Sequence, residues 1–148
     1  LGGALKNVIA IAAGIADGLQ LGSNTRAALI TRGLAEMARF GCARGGNMET
    51  FMGLSGMGDL VLTCTDDQSR NRRFGLALAE HGDVDRAAQT VGALVEGVAT
   101  ATALAENSHA LGVDMPIVAE VAAVLAGQRE PADAVQRLLA REPKAEAR

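Results

Sequence analysis

Aromatic side chains are nearly absent from this sequence, which contains three Phe, no Trp and no Tyr among 148 residues. Hydrophobic residues nevertheless make up 49% of the chain, enough for one domain with a sizeable core. Ala, Leu, Val, Ile and Met must fill that core, and small aliphatic side chains at this density favour close-packed helices over a sheet. We therefore expect an all-α fold.

Excess positive charge and long apolar runs are also lacking. The net charge is -3 and the isoelectric point about 5.4, with both signs spread along the chain, so no basic stripe can neutralise a nucleic-acid backbone. No apolar run approaches the roughly 20 residues of a membrane span, and the first residues do not resemble a signal peptide. We expect a soluble, cytoplasmic protein without nucleic-acid or membrane partners.

Potential metal ligands are sparse as well. Cys42 and Cys64 are too far apart for a CxxC pair, and neither has a His or Cys nearby at metal-ligand spacing. We interpret both as inert buried thiols and expect no metal site. His81 and His109 lie near predicted helix ends without partners for catalysis, and we assign them no chemistry.

Apolar residues that recur at three- and four-residue steps predict six helices, at about 1–19, 24–41, 69–81, 95–111, 116–126 and 131–140. The chain opens without Met or a helix cap, so we expect a preceding element to be missing. We assign residues 1–141 to one helical domain and residues 142–148 to a frayed, charged tail.

The stretch 45–68 is rich in Gly, Thr and Asp, which predicts loops and short helices of the kind that often carry function. We expect Phe51, Leu54, Leu60 and Val61 to anchor it. Its segment 53–60 is rich in glycine but lacks the GxGxxG spacing and a preceding strand, so it is not a dinucleotide fingerprint. We expect a tight turn that presents Asp59 to a lysine or to a substrate hydroxyl, with a helix-capping Asp as the alternative.

Lys6 is one of only two lysines and lies in the first turn of an otherwise apolar helix. A cation there opposes the helix macrodipole, and an isolated amine in such a place suits a general acid or base. The alternative is a lysine that reaches solvent from a helix end. The same face stays small along the helix, which leaves room for a ligand or for another backbone, at Ala10, Ala13, Gly14 and Asp17.

Three arginines follow Ser69 within one helical turn, where like charges crowd the positive end of the helix dipole. An anion is the simplest compensating partner. Backbone N–H groups, the Ser69 hydroxyl, Arg70 and Asn71 would together hold a phosphate. The alternative is a solvated helix start that is balanced by Asp66 and Asp67. Further along, Glu96 lies at the start of the fourth predicted helix. A carboxylate there stabilises the helix dipole, so its presence needs no functional explanation.

Six motifs, in this order and spacing, resemble bacterial NAD(P)-dependent glycerol-3-phosphate dehydrogenase: GALKNVIA at 3–10, ALITRGL at 28–34, GMGDL at 56–60, TC at 63–64, SRN at 69–71 and VEG at 95–97. The resemblance extends to about Leu125. That family joins an N-terminal Rossmann domain to a helical C-terminal domain of the 6-phosphogluconate dehydrogenase type. This sequence resembles the second part only, because the glycine fingerprint is absent.

The resemblance implies reversible hydride transfer between NAD(P)H and dihydroxyacetone phosphate, which yields sn-glycerol 3-phosphate for phospholipid synthesis. It implies that Lys6 is the catalytic proton acceptor and also contacts substrate. The other implied substrate-binding residues are Asp59, Ser69, Arg70 and Asn71, and the implied cofactor-binding residues are Arg70, Leu94 and Glu96. The implied partners are the domain's own Rossmann domain and a second copy in a homodimer, so we expect the chain to be inactive by itself.

Two alternatives remain open. Another phospho- or hydroxy-acid dehydrogenase of the related superfamily would share the helices, but it would need different substrate motifs, and the segment 63–71 argues against it. A non-catalytic helical dimerisation or ligand-binding module would also have a core of small residues. The joint presence of Lys6, Asp59, Arg70 and Asn71 weighs against the module, because a domain without catalysis has no need for all four.

Overall fold

The computed structural model describes residues 2–47, 49 and 54–141, and this part of the chain contains eight helices and no strand. The all-α class is confirmed. The helices are α1 (Gly2–Gly18), α2 (Ser23–Ala43), α3 (Leu54–Thr65), α4 (Arg70–His81), α5 (Val84–Val91), α6 (Glu96–Ala110), α7 (Pro116–Leu125) and α8 (Pro131–Ala140). None of them is both long and apolar enough to cross a membrane.

The six predicted helices are present, and two further helices were missed. In the region where loops and short helices were predicted, α3 packs Leu60 and Cys64 into the core. The Thr63 and Thr65 hydroxyls donate to the carbonyl oxygens one turn earlier, at 2.8 Å each, so both polar groups are satisfied within the helix. The short α5 is bounded by the Asp83 cap and by Gly92 in the left-handed conformation.

The anchors predicted for the 45–68 region are partly right. Leu60 is fully buried, as expected, whereas Val61 is exposed, so its assignment as an anchor was wrong. Both lie on α3, and adjacent helical positions point in directions about 100° apart, which places only one of them against the core. The expectations for Phe51, for the side chain of Leu54 and for residues 142–148 lie outside the described part of the chain.

Helix α1 forms the centre of the domain. Its residues 8–16 are all buried, and it packs against α2, α3, α4, α6, α7 and α8. A helix that is apolar on every side is stable only where other elements surround it. Alanine and glycine at several positions of α1 let the neighbouring helices approach this central helix closely.

The closest approach is between α1 and α4, at two glycines. A methyl group at Gly14 would overlap the carbonyl oxygen of Arg72, and one at Gly75 would overlap the carbonyl oxygen of Ile11. The backbones of the two helices are therefore in direct contact. The small face of α1 was predicted to leave room for a ligand or for another backbone. The backbone of α4 occupies it at Gly14.

We expect Gly75→Ala to lower the free energy of unfolding by about 2 kcal/mol or more, because the added methyl group forces two packed backbones apart. Urea denaturation measures the change. Gly58→Ala is the matched control, since its new methyl group meets no atom within 4 Å, and it should be neutral or stabilising by about 1 kcal/mol or less. Equal destabilisation by the two substitutions would contradict the backbone contact.

One carboxyl group, that of Glu36 on α2, lies in the core with 1% of its surface exposed. It accepts hydrogen bonds from the backbone N–H groups of Ile117, at 2.9 and 3.0 Å, and of Val118, at 3.4 Å. Glu36 therefore caps the start of α7. Burial raises its pKa to about 8, although these hydrogen bonds and the nearby Arg39 oppose the shift.

The raised pKa of Glu36 predicts a pH-dependent stability. The unfolded chain loses this proton near pH 4.5, whereas the folded chain keeps it to about pH 8, so the folded state binds more protons between these values. Stability should therefore fall as pH rises from 4.5 to 8, by about 1 kcal/mol per pH unit from this group.

Urea denaturation of Glu36→Gln, compared with the parent chain at several values of pH across this window, isolates that contribution. The variant should lack this part of the pH dependence, since glutamine has no titrating proton. If the parent instead gained stability over the variant as pH rises, the carboxylate form would be the one that the α7 N–H groups stabilise, and the predicted sign would be wrong.

Candidate active site

Lys6 and Asp59 form an ion pair that joins the second turns of α1 and α3. The Lys6 Nζ lies 2.6 Å from the Asp59 Oδ2, and the Lys6 side chain is more buried than that of Asp59. Asp59 lies within α3 and not in the predicted tight turn, because Gly56 and Gly58 are accommodated in the helix. The lysine is thus held by a carboxylate, and its ammonium group does not simply extend into solvent.

A cleft of about 310 Å³ opens beside this pair, between α1, α3, α4 and the segment before α6. Five of the seven residues predicted for the site line it: Ser69, Arg70, Asn71, Leu94 and Glu96. Lys6 and Asp59 do not line the cleft themselves, but their neighbours on α1 and α3 do, namely Asn7 and Thr63. The structure therefore brings the predicted residues into one region, with the ion pair adjacent to the cleft.

The start of α4 faces this cleft. Ser69 is the N-cap, and its Oγ accepts a hydrogen bond from the backbone N–H of Arg72 at 3.3 Å, as its predicted capping role requires. Glu96 and Ser69 both line the cleft, so the first turns of α4 and α6 meet there. The positive end of the α4 dipole favours an anion in this place, whereas at the start of α6 the Gly97 N–H already binds Asn71 and Glu96 supplies a carboxylate.

The three arginines of the α4 start have different surroundings. The Arg72 guanidinium donates from Nε and Nη2 to Asp17 Oδ2, at 3.2 and 3.1 Å, and from Nη1 to Asp67 Oδ1 at 3.0 Å. Arg70 is exposed, lines the cleft and forms no ion pair with any residue that the structure describes. The alternative in which Asp66 and Asp67 balance the arginines is thus right for Asp67, which pairs with Arg72. Arg70 remains available for an anion.

Two amide side chains at the cleft are held in opposite orientations. Asn71 is buried and its Oδ1 accepts from the backbone N–H of Gly97 at 2.9 Å, whereas the Asn7 Nδ2 donates to Glu96 Oε2 at 3.1 Å. A backbone N–H can only donate and a carboxylate can only accept, so these partners assign both amides. Asn71 keeps its Nδ2 donors, and Asn7 keeps its Oδ1 acceptor, for other partners.

Five further residues that line the cleft were not predicted for the site: Asn7, Leu62, Thr63, Asp66 and Gln68. Asn7 directly follows Lys6, and Thr63 lies one helical turn after Asp59 on α3. The second relation was hidden because Asp59 was expected in a tight turn, where a four-residue spacing does not place two side chains on one face. Gln68 carried no distinguishing signal within its polar segment.

The mouth of the cleft is apolar on one side. Leu94 has 72% of its surface exposed and Leu62 has 60%, and both line the cleft. Met57 and Val61 extend the exposed apolar surface along α3. A cation and hydrogen-bond donors beside exposed leucines suit a ligand with one anionic part and one flat, apolar part.

The comparisons with known proteins agree with one another. The family model for the NAD-dependent glycerol-3-phosphate dehydrogenase C-terminus matches residues 1–136. The glycerol-3-phosphate dehydrogenase (NAD(P)+) of Paracidovorax citrulli is 59% identical over 148 residues, which are all of this chain and 43% of that protein. The one from Nitrosococcus oceani is 60% identical over 146 residues, or 99% of this chain and 42% of that protein.

A solved structure extends the comparison to the fold. The crystal structure of glycerol-3-phosphate dehydrogenase from Coxiella burnetii has a TM-score of 0.90 and 51% sequence identity, over 95% of this chain and 43% of that chain. The chain spans less than half the length of these relatives. The resemblance inferred from the six motifs and the helical C-terminal fold that it implied are thereby confirmed. The chain belongs to the NAD-dependent glycerol-3-phosphate dehydrogenase family and corresponds to its C-terminal domain.

Proposed function

We propose that this domain supplies the substrate-binding and proton-transfer half of an NAD(P)-dependent glycerol-3-phosphate dehydrogenase. The reaction is the reversible reduction of dihydroxyacetone phosphate to sn-glycerol 3-phosphate. The observation that carries the proposal is the Lys6–Asp59 ion pair beside a cleft that the start of α4 lines with an arginine free of ion pairs to the described residues. Such a site has a group for the reacting oxygen and a separate place for a phosphate.

The phosphate is proposed to bind at the start of α4. Arg70 supplies a cation, the first turn of α4 supplies backbone N–H groups, and Asn71 supplies its Nδ2 donors. Ser69 can still donate from its hydroxyl while its oxygen caps the helix. A cleft of about 310 Å³ is of a size that suits a small ligand such as a three-carbon phosphate.

Lys6 is proposed to move the proton. During reduction the Lys6 ammonium donates a proton to the ketone oxygen as that oxygen gains negative charge, and in the reverse direction the neutral amine accepts the proton from the hydroxyl. Asp59 holds Nζ at 2.6 Å and so orients it in a largely buried position. In this proposal Asp59 also contacts the substrate, since its carboxylate is half exposed.

NAD(P)H supplies the hydride when it is bound. Arg70, Leu94 and Glu96 are proposed to contact it, and Leu94 supports this because so exposed a leucine at the mouth of the cleft fits against a flat ring. The 148 residues contain no GxGxxG motif, so we propose that an N-terminal Rossmann domain holds most of the dinucleotide. The greater length of the relatives supports that division of the site.

The setting of the reaction belongs to the same proposal. We place it in the cytoplasm, where its product would serve phospholipid synthesis, and in a homodimer. The exposed apolar side chains of Met57, Val61 and Leu62 on α3 support a contact with another domain or subunit, because adjacent exposed apolar side chains often mark such contacts.

Lys6→Met in the full-length enzyme should lower kcat for dihydroxyacetone phosphate by about 100-fold or more, because the general acid is removed. The rate of NAD(P)H oxidation measures it. Arg86→Met is the matched control, since it also replaces a cation by Met but lies on the exposed side of α5, away from the cleft. Turnover of Lys6→Met within about tenfold of the parent would exclude the acid-base role.

The 148-residue chain alone should reduce no dihydroxyacetone phosphate with either NADH or NADPH. It would lack the part that holds the dinucleotide in position for hydride transfer. The same assay on a full-length relative, at equal molar concentration, shows that the conditions support turnover. Measurable activity of the isolated chain would mean that these residues hold the whole active site.

A further inference from the structure

Asp17 lies on the same face of α1 as Lys6, eleven residues further along. Eleven residues correspond to about three helical turns and about 16 Å along the axis. Both side chains emerge from one rigid, buried helix, so their separation is set by α1 itself. Lys6 contacts Asp59 on α3, near the cleft. Asp17 contacts Arg72 on α4, the helix whose first residues line the other side of the cleft.

Asp17 is the centre of a largely buried cluster of charges. Its Oδ2 accepts from Arg72 Nε at 3.2 Å and Nη2 at 3.1 Å, and from Arg26 Nη1 at 3.3 Å. The side chains of Asp17 and Arg72 are only 12% and 11% exposed. Such a pair is less screened by solvent than a surface pair, so its loss leaves a charge that is poorly compensated.

Arg72 connects this cluster to the turn before α4. Its Nη1 donates to Asp67 Oδ1 at 3.0 Å, and its backbone N–H donates to Ser69 Oγ at 3.3 Å. Within the turn, the Gln68 N–H donates to Asp66 Oδ1 at 2.9 Å and the Ser69 N–H to the Asp66 carbonyl at 3.1 Å. The turn 66–69 is therefore compact, and Arg72 attaches it to α1.

The glycine contact alone would not hold this turn. At Gly14 the backbone of α1 touches the carbonyl of Arg72, which fixes the spacing of the two helices but places no side chain. The Asp17–Arg72 pair adds the contacts that lead to Asp67 and the turn. The cleft residues Gln68, Ser69 and Arg70 lie in this turn or directly after it.

We propose that Asp17 is a positioning residue, which acts through Arg72 to hold the turn 66–69 and Arg70 at a fixed distance from Lys6. The inference rests on the proposed function, since it assigns the phosphate end of the substrate to the turn and the reacting carbonyl to Lys6. Asp17 itself touches no substrate in this proposal. It aligns the two ends of the site along α1.

The test is Asp17→Asn in the full-length enzyme. Asparagine keeps the size of the side chain but removes the charge that pairs with Arg72. The phosphate contact is made in both the ground state and the transition state, so its loss should raise KM for dihydroxyacetone phosphate about tenfold and change kcat less than about threefold. A purely structural role would lower the unfolding temperature without this split.

Arg26→Gln is the matched control, because it removes the other cation from the same carboxylate and leaves the Arg72 contacts in place. It should lower the unfolding temperature somewhat and leave KM unchanged. An unchanged KM in Asp17→Asn, or an equal rise of KM in Arg26→Gln, would overturn the proposal.

Asp67→Asn provides a second test that does not depend on the folding of Asp17→Asn, since the Asp67 side chain is 90% exposed. It should raise KM about threefold with an unchanged unfolding temperature, and an unchanged KM would count against the attachment of the turn by Arg72.

Calorimetric titration with inorganic phosphate separates this inference from the proposed function. A parent enzyme that fails to reduce dihydroxyacetone phosphate contradicts the function alone, and the positioning role is then measured by phosphate binding. Weaker binding of phosphate to Asp17→Asn than to the parent and to Arg26→Gln supports the role. Equal binding by all three, or no binding by the parent, overturns it.

Discussion

The backbone contact between α1 and α4 is the constraint on which the rest of the domain depends. Gly14 meets Arg72, and Gly18 further along α1 meets residues further along α4, so the two helices run in the same direction, with the start of α4 beside the middle of α1. The N-terminal half of α1 carries Lys6, and the start of α4 carries Ser69 to Asn71. A larger side chain at Gly14 or Gly75 would separate the helices and with them the two halves of the candidate site.

Charges at this end of the domain are compensated selectively. Lys6 lies where the helix dipole disfavours a cation, and Asp59 offsets that effect with a short ion pair. Arg72 is neutralised by Asp17 and Asp67, whereas Arg70, two positions earlier, has no carboxylate partner among the described residues. Arg73 likewise forms no ion pair with a described residue, but it does not line the cleft. Arg70 is therefore the arginine that is placed for an anionic ligand there, and the ion pairs that stabilise the fold leave its position open.

Polar groups also organise the fold away from the cleft. Glu36 caps α7 from within the core, and its carboxyl group is held there by the N–H groups of two residues that follow Pro116. At the cleft, residues at the start of α6 fix the direction of two amides. The Gly97 N–H holds the Asn71 oxygen, and the Glu96 carboxylate holds the Asn7 nitrogen. The first residues of α6 and α7 therefore have two roles: they begin a helix, and they hold polar side chains from other helices in a fixed direction.

The sequence by itself determined the class and most helix limits, because apolar spacing, the Ser69 cap and the helix-initiating Pro116 and Pro131 are local signals. At α3, where glycine and threonine suggested loops and short helices, it did not predict a twelve-residue helix, since the burial of Leu60 that stabilises this helix arises only in the fold. Only the tertiary structure decided that Arg72 pairs with Asp17, and that Arg70 lines the cleft without an ion pair to a described residue. Those outcomes depend on contacts between residues far apart in the chain, which spacing within one segment cannot encode.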